Sequence, residues 1–426
     1  MDCRRASHRG PLDLPRPLAA RVSARVRWSD AGERCLYRGR VRLEFAVKIT
    51  AVEVFLCHAV RVNWTFVRVT TDSGLYGWGE ASLEGKELAV RSAVAELERY
   101  VVGRDPFQIE RHNHYMYETP FWRGGPVLGS AISGIDQALW DIKGKALGVP
   151  VYELLGGAAR DSIRYYANGW SMGAESIDDL VSRAGAAVTR GATALKWDPF
   201  GDQGLFITTP ALRAAVECVA EVRKAVGAEV DLLVEVHGRL SPANAIRAAR
   251  MLEPYDPFFY EEPVPPENTD ELALVARSTS IPIASGERAF SVHDVRPMFE
   301  AQAVAYVQPD PCHARGITEM KKIGAMAEAY HIGFAPHNPN GPIATRVCQH
   351  LAAAVPNFVI QEWLPVDPAP WRDEVMRGSF PTNPDGTMPL PEGPGLGIDI
   401  DLDVVAAHPY APRDMNLYTR PLLRRG

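Results

Sequence analysis

Three glutamates, Glu235, Glu261 and Glu287, stand 26 residues apart, and each closes a short apolar run: DLLVEV (231–236), FFYEE (258–262) and IPIASGE (281–287). Carboxylates gathered at one point repel one another, and one or more must hold a proton unless a cation is present. An all-oxygen set suits a hard divalent cation, Mg²⁺ before Ca²⁺. One such glutamate would read as a solvated charge at a strand end; three in step point to a metal site. His337 closes another run, IGFAPH (332–337), and Asp310 closes the one before it, VAYVQPD (304–310). A carboxylate beside an imidazole fixes its tautomer and raises its basicity, so this pair is expected to be a catalytic dyad rather than a structural histidine. His237 lies two residues beyond Glu235, a spacing that puts both side chains on one side of a strand. Lys196 and Glu362 close two further runs. A lysine there can neutralise a substrate carboxylate, and a protonated glutamate can hydrogen-bond one; an ordinary salt bridge accounts for either equally well. Glu262 and Arg288 are expected to support the ligands from behind.

These residues are useful only if the chain brings them together. Eight strand-like runs after residue 160 end on or beside a polar residue: Asn168, Lys196, Glu235, Glu261, Glu287, Asp310, His337 and Glu362. The steps between them are 28, 39, 26, 26, 23, 27 and 25 residues, each about one βα unit. Helical patterns lie between, among them ALRAAVECVAEVRKAVG (211–227) and TEMKKIGAMAEAYH (318–331). Eight repeats predict an α/β fold, a TIM-type barrel that collects its strand ends around one mouth. Before it, 47–156 reads as a small α+β unit. It has an alternating strand (47–57), a hairpin around a TDSG turn (65–82), and helices at 86–103 and 129–148. The expected division is therefore 1–46, 47–156, the barrel at 157–385, and a C-terminal piece at 386–426.

Composition sets the class. The chain has 426 residues, 46% hydrophobic and 23% charged, with a net charge of −6. That excludes collagen-like, disordered and disulfide-rich classes and argues against nucleic acid as a partner. No run is long and apolar enough to suggest a membrane span. Six scattered cysteines without a CxxC pair read as reduced thiols in a cytoplasmic protein. Residues 1–46 differ: eleven arginines stand against five acids, so the remainder carries −12. This stretch has no sustained period and is expected to be a disordered extension without a role. His112 and His114 lack acids nearby and read as ordinary residues. The Gly-rich GPGLG (393–397) has no strand-then-helix context and is set aside.

The motifs VEVHGR (234–239), YEEPV (260–264), SGER (285–288), QPD (308–310), APH (335–337) and QE (361–362) together resemble the enolase superfamily, in its mandelate racemase-like branch. The likeness runs from about 47 to 426. FWRGGP (121–126), GIDQALWDIKGK (134–145) and GITEMKKIGAMAEAY (316–330) look most like galactonate dehydratases. YANGW (166–170) and ALKWDPFG (194–201) look more like archaeal-type gluconate dehydratases. The resemblance implies a (β/α)7β barrel under an N-terminal α+β capping domain that the C-terminus rejoins. It implies Glu235, Glu261 and Glu287 as Mg²⁺ ligands and His337 with Asp310 as the base. It implies His237 as general acid, and Glu362 as a hydrogen-bond partner of the substrate carboxylate. The first ligand is often Asp in this branch, so Glu235 departs from the pattern.

Racemases of the branch carry Lys-x-Lys at the end of the second barrel strand. Here the motif is Lys196-Trp197-Asp198. A racemase needs a second base on the opposite face, and Asp198 is a poor one. A dehydratase needs one base and one acid, which His337 and His237 supply. The expected function is thus dehydration of a sugar acid such as D-galactonate or D-gluconate to a 2-keto-3-deoxy acid. The alternatives are epimerisation or cycloisomerisation through the same enediolate, or a non-catalytic barrel. Asp198 and Arg123 are candidates for substrate contact, and the loops at 57–64, at 118–125 and after Lys196 are candidates for specificity. A homo-oligomer is expected from the same resemblance.

Overall fold

The computed structural model describes residues 47–365, 368–413 and 421–423. The Arg-rich stretch 1–46 and its expected disorder lie outside the described residues. The chain begins with an antiparallel meander, β1 (Ile49–Ala59), β2 (Val62–Thr71) and β3 (Tyr76–Glu80). Three helices follow: α1 (Glu87–Val101), α2 (Ile109–Tyr117) and α3 (Pro126–Leu147). Helix α1 buries Val90, Val94, Leu97 and Val101, one stripe at helical spacing, against Val67 and Val69 of the meander. Helix α3 lies directly on β3. A Cβ on Gly79 would overlap the Gly134 carbonyl oxygen, so glycine is what allows the two backbones to meet.

A short helix, α4 (Val151–Leu154), leads into the repeating part. Its elements are β4 (Ser162–Ala167), α5 (Ile177–Thr189), β5 (Ala194–Trp197), α6 (Thr209–Val226), β6 (Asp231–Glu235) and α7 (Pro242–Leu252). Then come β7 (Phe259–Glu261), α8 (Thr269–Ala276), β8 (Ile283–Ser285), α9 (Val292–Glu300), β9 (Tyr306–Val307) and α10 (Gly316–Ala329). The series ends with β10 (Gly333–Phe334), α11 (Pro342–Ala354) and β11 (Gln361–Trp363). The strands pair in parallel in the order β10-β9-β8-β7-β6-β5-β4-β11. The ends of that order meet: Phe334 bridges Phe358, and Val359 N–H donates to the Phe334 carbonyl at 2.9 Å. The sheet is a closed TIM-type barrel with a helix in each of its seven connections. Most strands are shorter than the apolar runs suggested: β8 covers only Ile283–Ser285 of 281–287, and β9 only Tyr306–Val307 of 304–310.

Side chains divide by alternation. Tyr166, Ala194, Leu233, Phe259, Ala284, Ala335 and Ile360 form one cluster inside the barrel. Their chain neighbours Tyr165, Leu195, Leu232, Tyr260, Ile283 and Phe334 pack outward against the helices. A filled interior layer of this kind makes the barrel a packed core and leaves chemistry to its open end.

The C-terminal segment returns through α12 (Arg372–Val375), β12 (Thr387–Pro389) and α13 (Leu402–Ala407). Strand β12 adds antiparallel to β4, and Asp399 then accepts from Trp78 Nε1 at 2.6 Å in the meander. The meander also touches the barrel directly. Glu80, fully buried at the end of β3, accepts from the backbone N–H of Gly341 at 2.7 Å and of Ala344 at 2.9 Å. It thereby caps the N-terminus of α11 from another part of the chain. Among the described residues no helix is long and apolar enough to cross a membrane.

Burial lifts the Glu80 carboxyl to about 7, with the Ser82 hydroxyl and the two N–H groups opposing. Its unfolded value is 4.5, so between these two pH values the native state binds more protons than the unfolded one. Stability therefore falls as pH rises through that window and levels off above it. Denaturant unfolding of wild type and Glu80→Gln from pH 4 to 8 should show the wild-type advantage shrinking across the window; parallel curves would contradict it.

Candidate active site

The site grows from the barrel interior by adding two residues. Above Ala194 stands Lys196, above Leu233 Glu235, above Phe259 Glu261, above Ala335 His337, and above Ile360 Glu362. Period two makes each point the same way as the apolar residue beneath it. Glu287 is one residue off this count from Ala284. Gly286 intervenes with φ 134°, a conformation other residues rarely adopt, and redirects the chain. His237 is also not placed by strand alternation. Strand β6 ends at Glu235, and His237 sits beyond it with φ 56°. Its N–H donates to Glu235 Oε1 at 2.6 Å, which stabilises that left-handed turn.

Glu235, Glu261 and Glu287 each offer a carboxylate oxygen within 4.8 Å of the others. Glu235 Oε2 and Glu261 Oε2 are buried and receive no hydrogen bond. Orphaned carboxylate oxygens facing one point, with an all-oxygen donor set, fit a hard divalent cation. Lys196 Nζ is buried at the same place, 2.7 Å from Glu261 Oε1, 3.3 Å from Glu362 Oε1 and 3.5 Å from Glu235 Oε2. Burial acts against its charge, but Glu261 and Glu362 outweigh it and hold the ammonium well above its ordinary range. Burial also lifts Glu235, yet His237 and Lys196 bring it below the usual range. Burial and the facing Glu235 hold Glu261 well above.

His337 Nδ1 lies 2.8 Å from Asp310 Oδ2, and its Nε2 lies 3.2 Å from Glu287 Oε2. Burial lowers this imidazole, but Glu287, Glu362 and Asp310 together raise it well above its ordinary range. Asp310 is held on both sides, by Cys312 N–H at 2.6 Å and Asn340 Nδ2 at 2.8 Å. Glu362 accepts from Asn168 Nδ2 at 2.5 Å and from Asn338 N–H at 2.7 Å. Burial lifts its carboxyl, but Lys196 and His337 pull it down to about 2. Of the two sequence alternatives, donation by a protonated Glu362 or an ordinary salt bridge, these neighbours favour the second: both oxygens already accept hydrogen bonds, and Lys196 lies 3.3 Å from Oε1. Glu262, with φ 39°, grips Arg288 behind Glu287.

A cavity of about 960 Å³ opens above these groups. Lys196, Glu235, His237, Glu287, His337 and Glu362 line its floor, and Arg61, Leu83 and Glu84 line it from the meander side. The two expected substrate contacts differ in placement. Arg123 pairs with Glu118, half exposed, and does not line the cavity. Asp198 does line it, but its oxygens are taken by His237 Nδ1, Arg239 and the Phe200 N–H. Of the expected specificity loops, 57–64 contributes Arg61, whose Nη2 donates to the Pro339 carbonyl at 2.8 Å. The loop after Lys196 contributes Pro199 and Gly201, and 118–125 contributes nothing. Sequence reasoning gave no role to Asn168, Asn338, Asn340, Arg239 or His313. Four of them lie within three residues of His237, His337 or Asp310, and that adjacency was the available signal.

Comparison with known proteins gives a consistent result. The family model described as mandelate racemase / muconate lactonizing enzyme, N-terminal domain, matches residues 46–156, and the enolase C-terminal domain-like model matches 179–404. The D-galactonate dehydratase of Ralstonia pickettii is 44% identical over 343 residues, covering 80% of this chain and 89% of that protein. The D-galactonate dehydratase of Xanthomonas oryzae pv. oryzae is 42% identical over 372 residues, covering 86% and 96%. Among solved structures, a member of the enolase superfamily from Salmonella Typhimurium aligns with a TM-score of 0.81 at 34% identity, covering 85% of this chain and 98% of that one. A mandelate racemase/muconate lactonizing enzyme-like protein from Roseovarius sp. aligns at 0.80 and 35% identity, covering 88% and 100%.

Glu261→Gln should weaken divalent-cation binding by about 10- to 100-fold or more, read by calorimetric titration of the purified chain. Unchanged affinity would remove Glu261 from the cation site.

Proposed function

The chain belongs to the mandelate racemase / muconate lactonizing enzyme family of enolase-like proteins, and from that premise we propose that it dehydrates a sugar acid to a 2-keto-3-deoxy acid with Mg²⁺ as cofactor. D-galactonate is the leading substrate, from the names of relatives at 42–44% identity, with D-gluconate second. The observation that carries the reading is a pair of imidazoles, each with a carboxylate at Nδ1, lining the same cavity as Glu235 and Glu287, the two glutamates that share a carboxylate cluster with Glu261.

In this reading Glu235, Glu261 and Glu287 hold the cation. When bound, it supplies positive charge to the substrate carboxylate, where charge develops as the C2 proton leaves. With a cation taking up the Glu287 charge that otherwise raises this imidazole, His337 would be neutral and take that proton at Nε2, with Asp310 holding Nδ1. The C2–H electron pair moves into the enediolate. His237 then gives a proton to the C3 hydroxyl, the C3–O bond breaks, and water leaves. The C2=C3 enol that results becomes the 2-keto acid. Lys196 keeps positive charge beside Glu261 and Glu362, and Glu362 anchors the His337 loop through Asn338 N–H. Epimerisation would need a second base on the far face. Asp198 occupies that sequence position, and its engagement with His237 and Arg239 argues against such a role.

The reading extends to a cytoplasmic homo-oligomer acting on a small molecule, with neither nucleic acid nor membrane as partner. The free, buried thiols of Cys57, Cys218, Cys312 and Cys348 support a reducing compartment.

Three outcomes test it. A panel of aldonates and aldarates with Mg²⁺ should yield a 2-keto-3-deoxy acid from D-galactonate or D-gluconate; a C2 epimer without keto product would favour the epimerase. His337→Asn should lower kcat by at least about 10³-fold while cation binding persists; normal turnover in that variant would dismiss it as the base. His237→Asn should slow water loss far more than exchange of the C2 proton with solvent deuterium. Equal losses would refute its role as acid.

A further inference from the structure

We propose that Asp198 is the positioning residue of His237, forming with Arg239 a second Asp–His pair that holds the Nδ1 proton and leaves Nε2 for the leaving hydroxyl. This rests on the reading of His237 as general acid, and it replaces substrate contact as the role of Asp198.

Two places in the barrel correspond bond for bond. Asp310 Oδ1 accepts from the N–H two residues on, Cys312, at 2.6 Å, and its Oδ2 meets His337 Nδ1 at 2.8 Å. Asp198 Oδ1 accepts from the N–H two residues on, Phe200, at 2.9 Å, and its Oδ2 meets His237 Nδ1 at 2.8 Å. Each carboxylate is thus locked by its own turn before it meets the imidazole. Each Oδ2 also takes one more side-chain donor, Asn340 in the first pair and Arg239 in the second. Both aspartates are buried, and neither retains an oxygen without a donor.

The Arg239 fork adds rigidity. Besides Asp198 it donates to the Val236 carbonyl at 2.9 Å and to the Gly201 carbonyl. It therefore ties the loop after β5 to the turn after β6, the two pieces that carry Asp198 and His237. The backbone at His237 is set by Glu235, while the ring is set by Asp198. A carboxylate at Nδ1 accepts, so Nδ1 carries a proton and Nε2 is the atom that faces the cavity. Without it the ring can rotate or adopt the other tautomer, and the proton on Nε2 is no longer delivered along one line.

The test compares wild type, Asp198→Asn, Arg239→Lys and His237→Asn, each loaded with Mg²⁺ and given D-galactonate or whichever aldonate the panel selects. Asp198→Asn should lower kcat for keto-acid formation about 100-fold or more, with KM within threefold. Deuterium should still enter C2 of residual substrate, as in His237→Asn. Arg239→Lys should shift the same ratio less. A tenfold rise in KM at unchanged kcat would make Asp198 a substrate contact and overturn the proposal. So would equal loss of exchange and dehydration in Asp198→Asn while His237→Asn separates them. Long-range ¹H–¹⁵N NMR of histidine-labelled protein reads the tautomer without any assay. The signal missing in His237→Asn should report Nδ1–H in wild type and change in Asp198→Asn. An unchanged signal also overturns the proposal. Equal loss of both activities in His237→Asn itself would sink the general-acid reading instead, and the NMR arm would still decide the pairing.

Discussion

Three carboxylates confined within 4.8 Å at the end of an apolar barrel set the terms for everything around them. Their mutual repulsion grows as water is excluded, so such a cluster is tolerable only with positive charge nearby. Lys196 supplies part of it, lying against Glu261, Glu235 and Glu362 at once. The two carboxylate oxygens left without hydrogen bonds fit a divalent cation as the rest. Much of the surrounding architecture holds these charges in place: Glu235 by backbone N–H groups, Glu362 by two asparagines, Glu262 by Arg288.

The barrel makes this arrangement legible in advance. A strand that must point one side chain into a packed interior points the residue two positions later into the mouth. The polar strand ends therefore recur at the pitch of one βα unit, and Glu235, Glu261, Lys196, His337 and Glu362 could be picked out by spacing alone. The closed parallel sheet and the meander with its covering helix follow from ordinary alternation and helical period. Glycine decides two details, letting α3 lie on β3 at Gly79 and redirecting Glu287 at Gly286.

What the sequence hid was anything depending on contacts between distant loops. His237 looked like a strand neighbour of Glu235, but it reaches the mouth through a left-handed turn that alternation does not describe. Asp198 looked like a substrate ligand, because nothing in the linear chain announces that Phe200 and Arg239 occupy its oxygens. Arg123 was attractive for its motif and instead pairs with its near neighbour Glu118. Glu80 gave no hint that it caps a helix 261 residues away, at Gly341. Hydrogen-bond partners of this kind are properties of the folded surface, not of local pattern.

On the proposed function, one divalent cation sits among the three glutamates, within reach of the carboxylate of a sugar acid whose neighbouring C–H faces His337. Crystals grown with Mn²⁺ and a non-reacting aldonate analogue would test it through anomalous scattering. A single strong peak bounded by Glu235, Glu261 and Glu287 is expected, with the analogue carboxylate on it and C2 beside His337 Nε2. A peak elsewhere, or an analogue bound with C2 remote from His337, would contradict it.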